Sequence, residues 1–200
     1  FPIWHQEIED ILVLKNNKGT EDNRVRKLDY SIQISKIFYE RFIKNAEITL
    51  FSPNHVPGLY EAFGMPEFDD MYLKYEKDKS IPKQTIGAQE LFQALLKERA
   101  ETGRIYIMNL DHCNTHSSFK DKVYMSNLCQ EITLPTTPVQ HIDDKEGEIA
   151  LCILSAVNLG LLTDMDELEE LCDLSVRALD EIIDYQEYPV EAAKISAQSR

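Results

Sequence analysis

Short apolar runs separated by polar turns divide the chain into segments that have the periods of strands and helices. Residues 28–35 (LDYSIQIS) alternate apolar and polar positions, which predicts a strand because alternate side chains of a strand share one face. Residues 37–43 predict a helix, and residues 47–52 (EITLFS) predict a second strand that Pro53 ends. This order of strand, helix and strand favours a βαβ unit within an α/β fold.

Further helices and strands are predicted along the rest of the chain. The predicted N-terminal helix accepts Pro2 in its first turn and ends at the breaker of residues 16–19 (NNKG). Gly103 is placed to end the helix predicted before it, and Asp164 with Glu167 resembles the capping box that starts a helix. The predicted helical regions are residues 3–14, 57–78 (short helices whose aromatic residues form core), 85–102 and 164–185. The further predicted strands are residues 104–110, 122–125, 131–134 and 148–154.

Composition and charge restrict the class of protein. Two hundred residues, of which 43% are hydrophobic, can bury one core. The 35 acidic and 21 basic side chains give a net charge of −14, which disfavours a nucleic-acid partner. No apolar run reaches the roughly 18 residues of a membrane span, and no signal-peptide pattern is present, so we expect a soluble cytoplasmic protein without membrane contact. The termini, FPIW and QSR, are interpreted as cuts through a longer protein.

The four cysteines, Cys113, Cys129, Cys152 and Cys172, are widely spaced and form no CxxC pair. This pattern favours reduced thiols over a disulfide framework, although it leaves a redox-active pair open. Cys172 lies in the last predicted helix, where we expect it to pack. The acidic residues of that helix are expected to form a solvated face. They are Glu167, Glu169, Glu170 and Asp173.

The stretch SNLCQEI, residues 126–132, places an amide, a thiol and a carboxylate at every second position. In an extended segment Asn127, Cys129 and Glu131 would face the same way. A hydrogen-bond donor, a sulfur and an acid–base group would then share one surface. An ordinary strand edge with one buried cysteine remains the alternative.

A second candidate site is formed by His112, Cys113 and His116, which offer nitrogen and sulfur ligands to a metal. A structural zinc site needs about four ligands, and no second cluster lies nearby in sequence. We therefore expect no metal here, and a strand-to-loop turn whose polar side chains satisfy backbone groups is the alternative. Glycine-rich phosphate loops, GxSxG and HExxH are absent from the sequence.

SNLCQEI is followed along the chain by EIALCILSAVNLG (residues 148–160), which contains Cys152. Seven other short motifs precede these two in sequence order. They are WHQE (4–7), LVLKNN (12–17), NRVR (23–26), DY (29–30), LFSP (50–53), TGRIY (102–106) and DHCNTHS (111–117). Together they resemble the large, catalytic subunit of class I ribonucleotide reductases, in its bacterial and phage aerobic branch. Glycyl-radical and cobalamin-dependent reductases share the radical cysteine, but DHCNTHS and NRVR favour class I.

The resemblance implies a role for each matching residue. It identifies Cys129 as the cysteine that becomes a thiyl radical and removes the 3′-hydrogen of the substrate ribose. It identifies Glu131 as the carboxylate that takes the 3′-hydroxyl proton, and Asn127 as the amide that hydrogen-bonds the sugar hydroxyls. Cys152 is implied to be one of two cysteines that reduce the 2′-carbon and end as a disulfide. Cys113 has no implied redox role.

The implied fold is α/β: residues 1–200 would be an internal segment of the family's ten-stranded α/β barrel, with the radical cysteine on a central loop. The N-terminal ATP cone, the C-terminal half and the partner of Cys152 would lie outside this segment. We therefore expect the 200 residues alone to be inactive.

The resemblance also implies partners. The substrate would be a ribonucleoside diphosphate, and no cofactor would bind this segment directly. A small (beta) subunit with a diiron or dimanganese centre would generate the radical, and a thioredoxin- or glutaredoxin-type protein would be the reductant. Large subunits would form a homodimer, with dNTP and ATP effectors bound outside this segment. A non-catalytic binding or assembly module, or a small metal-binding protein using His112, Cys113 and His116, is the alternative function.

Overall fold

A computed structural model describes residues 1–16, 18, 20, 22, 24, 25 and 27–199. The chain divides into two compact units, Phe1–Pro135 and Thr136–Arg200. Part of the predicted NNKG breaker and part of the NRVR motif lie outside the described residues, namely Asn17, Gly19, Asn23 and Arg26. Among the described residues, no helix is long and apolar enough to cross a membrane.

The first unit alternates helices with short strands. Its strands are β1 (Ser31–Ile34), β2 (Glu47–Phe51), β3 (Lys83–Gly87) and β4 (Tyr106–Asn109). Its α-helices are α1 (Ile8–Leu12), α2 (Lys36–Ile43), α3 (Leu59–Ala62), α4 (Phe68–Lys77), α5 (Ala88–Thr102) and α6 (Leu110–Thr115). The strands predicted at 28–35, 47–52 and 104–110 are therefore confirmed with shorter bounds. The helix predicted at 37–43 is confirmed and begins one residue earlier.

The N-terminal residues connect two strand pairs. β1 pairs with β4 in parallel, and β2 pairs with β3 in an antiparallel arrangement. Pro2 forms a parallel bridge with Gln33 of β1, and His5 forms one with Phe51 of β2. The order is therefore β3, β2, the N-terminal segment, β1, β4. The predicted order of strand, helix and strand is confirmed by β1, α2 and β2, but the two strands are not direct neighbours, because the N-terminal segment lies between them.

An aromatic cluster forms the centre of the core. Phe63 and Phe68 have ring centroids 4.7 Å apart, and Tyr72 lies edge-on to Phe38 at 5.4 Å. Trp4 contacts Phe63 edge-on at 6.0 Å. Such pairs add to the hydrophobic stabilisation of the buried rings. The prediction that the aromatic residues of 57–78 form core is thus confirmed for Phe63, Phe68 and Tyr72, which are at most 1% exposed.

Two predicted helices have different starts. The N-terminal helix is confined to Ile8–Leu12, because residues 1–6 form turns and bridges to two strands, so that Pro2 lies outside any helix. The helix predicted at 85–102 begins at Ala88, because the preceding residues form β3. Its predicted end is confirmed: Gly103 has φ +65° and its N–H donates to the Arg99 carbonyl at 2.8 Å.

Three predicted strands, at 122–125, 131–134 and 148–154, are irregular in the described structure. Side chains take the place of a strand partner there. The Val123 N–H donates to Asn114 Oδ1 at 2.8 Å, and the Ile149 N–H donates to Ser196 Oγ at 3.0 Å. These strand predictions were wrong because apolar composition alone cannot supply a neighbouring strand.

The second unit contains α7 (Glu167–Tyr185) and α8 (Glu191–Gln198). The long helix predicted at 164–185 is confirmed, and its four predicted acidic residues are exposed. The capping box was wrong, because α7 has no side-chain cap; the Asp164 carboxylate instead accepts from the Asp166 N–H at 3.0 Å. Cys172 is exposed, so the prediction that it packs was also wrong.

Candidate active site

The SNLCQEI stretch folds into a closed turn, which we call the cysteine turn (residues 126–132). The Asn127 N–H donates to the Ile132 carbonyl at 3.1 Å, and the Ile132 N–H donates to Asn127 Oδ1 at 3.0 Å. Gln130 has φ +67°, a left-handed conformation that reverses the chain inside the turn. The extended alternation expected for Asn127, Cys129 and Glu131 was therefore wrong, since the side chain of Asn127 captures the Ile132 N–H that a neighbouring strand would otherwise bind.

The three candidate side chains differ in exposure. Asn127 is half-buried, whereas Cys129 and Glu131 are exposed in this chain. The alternative of a strand edge with one buried cysteine is therefore wrong for the described residues. The Oδ1 atom of Asn127 accepts from the Ile132 N–H, an arrangement that leaves the Nδ2 group of the amide as the donor for another group.

The cysteine turn lies on one face of the β1–β4 pair. Gln33 of β1 is opposite Met108 of β4, and Gln33 Nε2 lies 3.8 Å from Met108 Sδ, so both side chains occupy the same face. Ile32 and Ile34 alternate with Gln33 and therefore point to the opposite face, where both are fully buried. The turn thus approaches the sheet from the face opposite these two isoleucines.

A cavity of about 250 Å³ separates the cysteine turn from the strands. Its lining includes Ser126, Asn127 and Gln130 of the turn and Gln33 and Met108 of the sheet. Ligand pockets commonly measure about 300–1,000 Å³, so this cavity alone is small for a drug-sized ligand. Asn127 is the candidate residue that lines it, whereas Cys129 and Glu131 lie outside its lining.

His112 and Cys113 lie on helix α6, and His116 is the residue that follows its last position, instead of the expected strand-to-loop turn. The two histidine rings contact edge-on, with centroids 5.3 Å apart. Burial, followed by the nearby Asp111 charge, raises the pKa of the Cys113 thiol, which makes its reactive thiolate scarcer. Within the described ranges, no group of three or more His, Cys, Asp or Glu side chains has the arrangement of a metal site.

Cys152 lies in the second unit, in an irregular exposed segment, with a free thiol. The cysteine turn belongs to the first unit. The structure therefore brings Asn127, Cys129 and Glu131 together on one turn and places Cys152 in a separate unit.

Sequence reasoning missed two residues that contact the segment leading into the cysteine turn. They are Gln33, on β1, and Asn114, on α6, whose amide groups bond to the backbone of residues 123 and 124. Asn114 lies inside DHCNTHS, a motif noted for its family resemblance. A polar residue inside the otherwise buried β1 was the signal available for Gln33.

The whole chain is similar to known proteins of one family. All 200 residues match the family described as "Ribonucleotide reductase, barrel domain". The chain is 60% identical to the ribonucleoside-diphosphate reductase subunit alpha of Haemophilus influenzae and 58% identical to that of Buchnera aphidicola from Schizaphis graminum. It is 45% identical to the subunit alpha of Enterobacteria phage T4.

Each of these alignments includes 100% of the chain but 27% of the relative. The chain therefore spans about a quarter of the length of these curated relatives. The mixed α/β architecture agrees with the α/β class expected from the sequence. The match over every residue shows that this chain belongs to the ribonucleotide reductase family, in which it corresponds to part of the barrel domain of the large subunit.

Proposed function

We propose that this chain supplies the radical-bearing turn of a ribonucleoside-diphosphate reductase, which converts ribonucleoside diphosphates to deoxyribonucleoside diphosphates for DNA precursor synthesis. One observation carries the proposal: Asn127, Cys129 and Glu131 lie on one closed turn in a chain of the ribonucleotide reductase family. The curated relatives with this alignment are named as the alpha subunit of that reductase.

In the proposed reaction the Cys129 sulfur radical takes the hydrogen atom from the 3′-carbon, which forms an S–H bond and leaves a carbon radical. Glu131 takes the proton of the 3′-hydroxyl as a positioned base. Asn127, whose Oδ1 is engaged by the Ile132 N–H, directs its Nδ2 group to the sugar hydroxyls. Because abstraction needs the sulfur held against one C–H bond, the geometry of the turn matters more than formation of a thiolate.

The reduction is completed by two thiols. The 2′-hydroxyl leaves as water, and Cys152 with a second cysteine outside these residues supplies two electrons and two protons and forms a disulfide. Glu131 returns its proton to the 3′-oxygen, and Cys129 then returns its hydrogen atom to the 3′-carbon and regenerates the sulfur radical. A thioredoxin- or glutaredoxin-type protein would reduce the disulfide before the next turnover.

The position of the cysteine turn supports a central loop in a barrel. In an α/β barrel the helices cover the outer face of the strands, and the inner face points to the barrel interior. The turn lies over the face that carries Gln33 and Met108, opposite the buried Ile32 and Ile34. Exposure of Cys129 in this chain is then expected, because further strands of the barrel would complete the walls that shield a radical.

The remaining parts of the proposed enzyme lie outside this segment. A small (beta) subunit with a diiron or dimanganese centre would generate the radical and pass it to Cys129. Two large subunits would form a homodimer, and dNTP and ATP effectors would bind at other sites. No cofactor is proposed to bind the described residues directly.

The decisive experiment is Cys129→Ser in the full-length protein, assembled with its radical-generating subunit and a reductant. A hydroxyl does not readily form the equivalent radical, so nucleotide reduction should be lost while circular dichroism and the unfolding midpoint stay at the parent values. Cys172→Ser is the matched control, because that thiol is also exposed and lies on α7. Retained turnover in Cys129→Ser would contradict the proposal.

The metal-binding alternative has its own measurement. Stoichiometric zinc in the purified chain, lost on replacement of His112 or His116, would favour that alternative.

A further inference from the structure

The segment that enters the cysteine turn is held by side-chain amides in place of a strand partner. The Asn114 side chain bonds to both backbone groups of Val123: Oδ1 accepts from its N–H at 2.8 Å, and Nδ2 donates to its carbonyl at 3.0 Å. Gln33 Nε2 donates to the Tyr124 carbonyl at 2.6 Å. Three hydrogen bonds from two residues therefore fix two consecutive residues of the chain.

These bonds are partly shielded from water. Val123 is 0% exposed and Gln33 is 5% exposed. The Asn114 Nδ2 group also donates to the Leu110 carbonyl of its own helix at 3.0 Å, which fixes the orientation of the amide. Because a buried backbone group without a partner costs free energy, loss of either amide would favour movement of the segment.

We propose that Asn114 and Gln33 form an amide clamp that positions the cysteine turn for hydrogen abstraction. The inference rests on the proposed function of Cys129. Ser126, the first residue of the turn, follows Tyr124 by two positions, and a chain extends by at most about 3.6 Å per residue. A displacement of Tyr124 should therefore also move the turn, because the two-residue connection is too short to absorb it.

The amide clamp acts through the backbone, so both members are positioning residues and not catalytic residues. Moving a reacting atom by about 1 Å can reduce a rate by about 10²-fold, because abstraction requires the sulfur close to one C–H bond. Substrate affinity depends on other contacts as well. Loss of the clamp should therefore lower kcat more than it changes KM.

The test uses Gln33→Met and Asn114→Leu, which keep approximate side-chain size but remove the bonds to Val123 and Tyr124. The matched control is Tyr72→Phe. The Tyr72 hydroxyl also satisfies both backbone groups of one buried residue, since it accepts from the Thr49 N–H and donates to the Thr49 carbonyl, each at 2.8 Å. That site is on β2, outside the segment that enters the cysteine turn.

Three quantities are measured for each variant: the unfolding midpoint in urea, kcat and KM of the full-length protein with its radical-generating subunit, and the alkylation rate of Cys129 relative to exposed Cys172. We expect both clamp variants to lose about 10²-fold in kcat and to change the alkylation ratio. Tyr72→Phe should be destabilised comparably but retain kcat within about twofold, because its loss is not transmitted to the turn.

Several results would overturn the amide clamp. They are parent-like kcat in both clamp variants, an equal loss of kcat in Tyr72→Phe, or an unchanged alkylation ratio. If Asn114→Leu does not fold, Asn114→Asp retains the Oδ1 acceptor for Val123, and parent-like kcat in that variant and in Gln33→Met would also overturn the clamp. Retained turnover in Cys129→Ser would refute the proposed function instead, while the alkylation ratio still tests the clamp.

Discussion

Replacement of Gly64 by alanine should destabilise the first unit through two separate effects. Gly64 has φ +83°, a conformation that costs an L-residue roughly 1–2 kcal/mol. An added Cβ would lie 2.6 Å from Leu110 Cγ and 3.1 Å from Asn114 Nδ2, so neighbouring side chains must move. Overpacking of this kind costs about 1–3 kcal/mol. We expect Gly64→Ala to lower the free energy of unfolding by about 2–5 kcal/mol, the sum of the two effects.

Gly103→Ala is the matched control for the backbone effect. Gly103 has φ +65°, but a Cβ placed there would meet nothing within 4 Å. Glycine-to-alanine replacement lowers the conformational entropy of the unfolded chain equally in both variants. The difference between their free energies of unfolding therefore isolates the collision with Leu110 and Asn114. That difference should be about 1–3 kcal/mol.

Urea unfolding followed by circular dichroism measures the difference. For a slope of about 1–3 kcal/mol per molar urea, it corresponds to a midpoint separation of roughly 1 M. Gly64→Ala should also change the alkylation ratio of Cys129 to Cys172, because it displaces the Asn114 amide, whereas Gly103→Ala should not. Equal losses of stability in the two variants would refute the packing argument.

Other predictions concern the cysteines and the ion pair between Arg41 of α2 and Glu76 of α4, whose side chains lie 2.6 Å apart. Burial alone would raise the pKa of Glu76, but hydrogen bonds from Arg41 and Thr49 and the Arg41 charge lower it overall. The stability contributed by Glu76 is therefore present above its ordinary pKa of 4.5 and is lost as the pH falls through the lowered value. In Glu76→Gln the free energy of unfolding, measured with urea at several pH values, should fall less steeply in this acidic range. Cys152→Ser should block reduction after the radical has formed. The radical should then decay when substrate is added, but no deoxynucleotide should appear; a parent-like yield of deoxynucleotide would contradict the role of Cys152. Cys172→Ser should leave turnover unchanged, and the 200-residue chain alone, given a radical-generating subunit and reductant, should produce no deoxynucleotide.

A helix or strand was predictable where the spacing of apolar residues within that segment shows which of its side chains are buried. α2 and β2 agree with the predictions to within about one residue at each end, because their apolar positions repeat with one clear period. β3, with the sequence KQTIG, was missed because its side chains are half-buried or exposed and show no alternation. Its strand conformation comes from pairing with β2, which the local sequence does not encode.

The candidate residues were chosen by their types and linear spacing, and their roles remain a prediction, but their geometry could not be predicted from the spacing. Asn127, Cys129 and Glu131 were identified from residue type and order alone. Their closed turn depends on a bond between the Asn127 side chain and the Ile132 N–H, which competes with strand formation. Asn114 bonds to Val123, nine residues away in sequence, and periodicity does not predict which side-chain amide meets which backbone group.

The sequence by itself determined the α/β class, the family and the residue types that carry the proposed reaction, because these depend on local periodicity and on the order of short motifs. The tertiary structure decided which strands are neighbours, as β1 pairs with a strand about 75 residues later and the N-terminal segment lies between β1 and β2. It also decided that Cys129 lies on a turn, and that the segment before this turn is bonded by side-chain amides from β1 and α6. The physical reason is that backbone hydrogen bonds must be satisfied by whichever groups the fold brings near, and that choice is made by long-range packing.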